Sequence, residues 1–140
     1  MVKQVFTPYL SLKNAKEAID FYIKTFNGKI LEIHYGDTMP GHENKPESKN
    51  LVAHSEIEIL GAILLVSDIV EDQYKVTIGN NVQISIEFEN KDIQKHVYES
   101  FVANDSNITM ELKETPWGDV FAMLSDKYGA YWMLKYKIQQ

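Results

Sequence analysis

The sequence predicts an α+β fold in which one unit, a strand, a helix and then three strands, occurs twice. Three observations carry that expectation. Apolar residues recur at helical spacing in two stretches, near residues 14–27 and 91–104, while most of the remaining apolar runs are short or alternate at period two. The halves can be laid on one another, with Leu12-Lys13-Asn14 on Phe88-Glu89-Asn90, Tyr22 on Tyr98, and Gly61-Ala62 on Gly129-Ala130. Finally, two apolar runs toward the C-terminus are joined by Asp126-x-x-Gly129. There a carboxylate bonds back to turn amides, and a glycine accepts a backbone that other residues resist.

Taken in order, residues 4–12 have strand character around Pro8, whose missing amide donor suits an edge or a bulge. Asn14 reads as an N-cap with Glu17 completing a capping box. Ala15, Ala18, Ile19, Tyr22 and Phe26 form the apolar stripe of a helix that Asn27-Gly28 stops. Lys29–Tyr35 is a strand, and Gly36–Asn50, with Pro40, Gly41 and Pro46, is a long polar loop suited to act as a lid. Leu51–Ile59 alternates, setting His54, Glu56 and Glu58 on one face, and Ala62–Ser67 is a nearly continuous apolar strand. After a polar connector over 71–81, Val82, Ile84, Ile86 and Phe88 alternate with Gln83, Ser85 and Glu87. The second helix turns Ile93, Val97, Phe101 and Tyr98 inward, Ile108–Lys113 alternates, and the hairpin runs Val120–Ser125 and Ala130–Lys137.

Composition narrows the function classes. At 140 residues, 44% hydrophobic and 24% charged, the chain is one soluble domain's worth. The absence of cysteine excludes disulfides, thiolate metal sites and cysteine nucleophiles. No apolar run approaches the roughly 20 residues that span a bilayer, and the first residues are too polar for a signal peptide, so no membrane partner and a cytoplasmic location are expected. The net charge is −6 and every base is a scattered lysine, so nucleic acid is not an expected partner. No P-loop, Gly-x-Ser-x-Gly elbow or His-Glu-x-x-His is present, which argues against NTPase and nucleophilic hydrolase chemistry.

Trp117-Gly118-Asp119, Phe121, Asp126, Gly129 and Trp132 resemble the C-terminal signature of PhnB-like proteins in the vicinal oxygen chelate superfamily, the glyoxalase and bleomycin-resistance fold. Upstream, Phe21-Tyr22 before Phe26-Asn27-Gly28-Lys29-Ile30, Tyr35-Gly36-Asp37 with Pro40-Gly41, and His54 before Gly61-Ala62 and Ser67-Asp68 are similar to the same group. The resemblance implies one domain over 1–140 of paired βαβββ modules, about 1–70 and 80–140, forming a curved eight-stranded mixed sheet that encloses a cup. It also implies a homodimer. Metal enzymes of the superfamily place ligands on the first and last strands of each module. Those positions here fall on Thr7, on Gln83, on Leu65 or Val66, and on Met133 or Leu134. A hydroxyl, an amide and apolar side chains replace imidazole and carboxylate, so no metal and no cofactor are expected. The methyltransferase label sometimes given to this family finds no support either, because no glycine-rich turn opens a helix after a strand.

The reading that follows is a small-molecule binding protein without the usual metal site. Its expected ligand-binding residues are Thr7, Tyr9, Gln83, Ser85, Glu87, Trp117 and Trp132, the polar groups facing the cup and the aromatics walling it. The runner-up is a lyase or oxygenase using one divalent metal with unusual donors. For it, His54 and Glu56 are the catalytic candidates, with His34, His42, Asp37 and Glu43 around the loop. The third reading is a partner-binding module with a vestigial cup.

Overall fold

A computed structural model describes residues 4–36, 49–70 and 75–138. The chain divides between Val76 and Thr77 into two compact units. The first holds β1 (Tyr9–Leu12), α1 (Ala15–Phe26), β2 (Lys29–Tyr35), β3 (Val52–Ile59) and β4 (Ala62–Asp68). The second holds β5 (Ile84–Phe88), α2 (Lys91–Val102), β6 (Asn107–Glu114), β7 (Asp119–Ser125) and β8 (Tyr131–Lys137). Each unit has a four-stranded mixed sheet, ordered β1-β4-β3-β2 and β5-β8-β7-β6. In both, the first strand runs parallel to the last and the other pairings are antiparallel. The duplicated strand-helix-three-strand unit is therefore present. No helix among the described residues is long and apolar enough to cross a membrane.

The helix of each unit covers one face of its own sheet. On α1 the buried stripe is Ala15, Ala18, Ile19, Tyr22 and Phe26, as the spacing predicts, and the helix packs on β3 and β4. Facing residues Ile57, Ile59, Leu64 and Val66 are buried with it, each large side chain contributing about 1.5–3 kcal/mol. Gly28 permits the close passage after α1, because a Cβ there would stand 2.2 Å from the Glu58 carbonyl oxygen. On α2 the inward residues are Gln94, Val97 and Phe101, whereas Ile93 is exposed. Gln94 takes the inward place because its Nε2 donates to the carbonyls of Val120 (2.9 Å) and Leu134 (3.2 Å), pinning helix to sheet.

Further expectations are corrected at the element ends. Strand pairing begins at the Pro8 carbonyl, which accepts from Leu65 N, so β1 is shorter than residues 4–12. Val82 precedes β5 and is 78% exposed rather than packed on the helix. Asn14 sits in the left-handed region (φ 58°) and makes no side-chain cap, so the expected capping box does not form. Asp68, at the end of β4, does that work. Its Oδ1 accepts from Ala15 N (2.9 Å) and its Oδ2 from Val52 N (2.7 Å), joining the start of α1 to the start of β3. In the second unit Asn90 caps α2 itself, accepting from Asp92 N and Ile93 N.

The β7–β8 turn is closed by Asp126. Its Oδ1 accepts from Tyr128 N (3.0 Å) and Ala130 N (2.9 Å), while Oδ2 accepts from the Trp132 indole (2.9 Å). Gly129 supplies the φ of 103° that this turn needs. Asp126→Asn keeps the shape but turns an amide donor toward the indole N–H. It is expected to cost about 1–3 kcal/mol, read as a lower urea midpoint at unchanged slope. An unchanged midpoint would show that the three bonds are not what holds the hairpin.

Candidate functional site

The pleat sorts the second sheet into two faces. Register pairs Ile84 with Trp132 and Ile86 with Leu134, and these side chains lie toward α2. Ser85 opposite Met133 and Glu87 opposite Lys135 therefore occupy the face turned away from the helix, and Gln83 precedes the strand by one residue. Strand β7 adds Met123, Phe121 and Asp119 opposite Met133, Lys135 and Lys137. Lys135 Nζ lies 3.7 Å from Asp119 Oδ2, a partner pair across β7 and β8. Ser85 and Glu87 are exposed, whereas Gln83 is half-buried and its Oε1 is enclosed with no hydrogen-bond partner among the described residues.

The two tryptophans separate. Trp132 is fully buried, its ring centroid 5.6 Å from that of Phe101 and its indole N–H held by Asp126. It is a core residue, and the expectation that it offers a stacking surface is corrected, because its even position in β8 turns it toward α2. Trp117 is 73% exposed on the Thr115–Asp119 turn, where Gly118 N donates to Thr115 O and Ile138 N to Gly118 O. It lines a cleft of about 700 Å³ with Glu87, Glu89, Tyr136 and Lys137 among its other walls.

The first sheet carries different chemistry on its helix-free face. Strand β3 places His54 opposite His34 and Glu56 opposite Glu32 on β2, and Glu56 faces Leu65 on β4. The Tyr9 ring stacks on His54 at 6.2 Å and 29°, and its hydroxyl donates to Ser67 Oγ at 2.9 Å. Thr7 lies ahead of β1 and is half-buried. Glu32 is hydrogen-bonded to the His34 Nε2. That bond, then the His34 charge and more weakly His54, hold the Glu32 carboxyl below its ordinary value, with burial opposing slightly. His42, Asp37, Glu43 and nearly all of the expected lid lie outside the described residues, although Gly36 N donates to Leu51 O and closes its base.

For the metal positions the structure chooses between the two registers. Leu65 and Met133 share the helix-free faces, whereas Val66 and Leu134 are buried toward the helices. Neither chosen residue bears a hard donor. Among the described residues no group of three or more His, Cys, Asp or Glu is placed to hold a metal ion. Sequence reasoning missed Glu32, Glu89, Lys135 and Tyr136. Period two applied to β8 with the same strictness as to β5 would have put Lys135 beside Glu87, but β-bulges at Ile30/Glu32 and His34/Tyr35 hide the β2 partners of His54.

Comparison with known proteins agrees over nearly the whole chain. The sequence profile of the family described as 3-demethylubiquinone-9 3-methyltransferase matches residues 4–135. Protein YjdN of Escherichia coli strain K12 is 28% identical over 145 residues, covering 96% of each chain. The solved structure of the PhnB protein from Bacillus cereus is similar with a TM-score of 0.77 at 27% identity, over 95% of this chain and 99% of that one. A glyoxalase/bleomycin resistance protein/dioxygenase family enzyme from Burkholderia phytofirmans shares the fold, with a TM-score of 0.67 at 11% identity over 94% and 97% of the two chains.

The Glu32 shift has a pH consequence with a definite sign. A carboxyl whose folded value is depressed adds stability above its ordinary 4.5 and loses it as the pH falls through the lowered value. In carboxyl-detected NMR titration Glu32 is expected to titrate below 4.5, and His34→Gln is expected to move it back toward that value. Titration unaltered by His34→Gln would remove the imidazole as the cause.

Proposed function

The chain belongs to the family described as 3-demethylubiquinone-9 3-methyltransferase, with the glyoxalase/bleomycin-resistance fold, and within it we propose a metal-independent small-molecule binding protein. The observation that carries this reading is the Gln83 Oε1, an enclosed acceptor with no partner among the described residues, one residue ahead of the strand whose helix-free face carries Ser85 and Glu87. A buried polar atom left unmatched costs free energy, so a ligand that donates to it gains more than the same ligand in water. Phe121, Met123 and Met133 supply apolar surface on that face, and Met adapts to varied shapes. A few polar groups set in apolar surface are what a small-molecule site needs.

Two features weigh against a nucleotide-type cofactor in this fold. Each strand-to-helix connection is only two residues without glycine, Lys13-Asn14 and Glu89-Asn90. Both helix starts also already hold a side-chain acceptor, the Asp68 carboxylate at Ala15 N of α1 and the Asn90 side chain at Asp92 N and Ile93 N of α2, and the Asp68 charge opposes a phosphate there. The family's methyltransferase description is thus not matched by a site of that kind among the described residues.

The test is a fragment screen read by amide chemical shifts. Ligands are expected to move signals of Gln83, Ser85, Glu87 and Met133, and Gln83→Leu is expected to weaken them by about 1–3 kcal/mol. Elemental analysis of protein purified without chelator is expected to find no stoichiometric divalent ion. An ion lost on substituting His54 or Glu56 would favour the metal-dependent alternative, and fragments that bind Gln83→Leu undiminished would move the site elsewhere.

A further inference from the structure

We propose that the cleft beside Trp117 selects a cation, an amine or quaternary ammonium group carried on an apolar body. The inference rests on the ligand-capture reading and adds the ligand's class to it. Trp117 presents 73% of its surface and meets no other aromatic ring among the described residues. An indole held this far out of a core is a face waiting for a partner, and indole is the strongest of the aromatic faces toward cations. Tyr136 lies in the same wall.

Charge decides the sign of the partner. Glu87, in β5, and Glu89, in the connection from β5 to α2, both line the cleft. They are exposed, and neither forms an ion pair among the described residues. The opposing charge in the wall is the Lys137 ammonium, one base against two acids. The neighbouring Lys135 is engaged with Asp119 at 3.7 Å. With no arginine in the chain, nothing offers the two-pronged grip that captures carboxylates or phosphates. A neutral ligand returns at most a hydrogen bond to the two carboxylates and leaves their charge unbalanced. A cation with an apolar body instead stacks on Trp117 and sets its charge between Glu87 and Glu89, and the chain's net charge of −6 draws it in.

Benzyltrimethylammonium serves as the probe, with benzyl alcohol and phenylacetate as neutral and anionic counterparts of similar size. The two indole N–H signals in an NMR titration give an internal control, since Trp117 is exposed and Trp132 is buried on Asp126. The cation is expected to shift the Trp117 signal and leave Trp132 in place, and to bind at least about tenfold more tightly than phenylacetate. Glu87→Gln with Glu89→Gln, which keeps the side-chain shape, is expected to lose that preference, and Trp117→Leu to lose binding. Equal affinity for cation and anion, or a preference that survives the double Gln variant, overturns the proposal. If phenylacetate or benzyl alcohol alone shifts Trp117, ligand capture stands and the cationic class falls. If no probe shifts Trp117 while fragments still bind around Gln83, the cleft is not part of the site.

Discussion

The Asp126 carboxylate is the contact on which the second unit depends. It is 6% exposed and accepts from two turn amides and one indole, donors that offset its charge. Holding the Trp132 indole fixes which side of β8 faces α2. Sheet geometry then propagates the choice, because a slip of one residue would exchange the faces of a whole strand. Leu134 follows Trp132 inward, and Met133 and Lys135 are sent to the face shared with Ser85 and Glu87. The composition of the candidate site is thus a consequence of how a turn satisfies its own backbone.

The two units solve one topology with different side chains. Where α1 presents Ala18, α2 presents Gln94 at the matching position, and a small apolar contact is exchanged for two hydrogen bonds into the sheet. Capping differs likewise. Asn14, in the left-handed region, leaves the helix start to the Asp68 carboxylate, while Asn90 is extended and reaches its own amides. The helix-free faces have diverged further. The first sheet carries Tyr9, Glu32, His34, His54 and Glu56, and the second carries Ser85, Glu87, Phe121, Met133 and Lys135. Identical backbone pairings therefore place unlike chemistry at equivalent positions, as expected when burial constrains one face of a sheet and not the other.

Apolar side chains on the helix-free faces and an exposed aromatic beside carboxylates bear on the same question. Leu65 and Met133 lie on those faces, and neither side chain can replace water around a divalent ion. Apolar side chains there make the face better suited to the body of an organic molecule. The family description names a reaction, but the fold also hosts other chemistries, and it is the side chains of a site that determine which of them a chain supports.

Much of this was legible in the residues. Alternation along Ile84–Phe88 already separated Ser85 and Glu87 from the buried set, and the spacing of Ala15, Ala18, Ile19, Tyr22 and Phe26 specified the face of α1. Asp126-x-x-Gly129 declared its turn, since a carboxylate and a glycine three apart act within a few residues of chain. Long-range satisfaction was not legible. That Asp68 would cap a helix 53 residues away, or that Glu32 would lie opposite Glu56 and His34 opposite His54, depends on strand register and bulges that no local pattern encodes. The separation of Trp117 from Trp132 was decided the same way. Both are tryptophans beside turns, and only the pleat of β8 and the reach of Asp126 bury one and leave the other exposed. Sequence by itself determined the elements and their faces, because periodicity is local, and tertiary structure decided the partners, because partnership is a property of strands brought together.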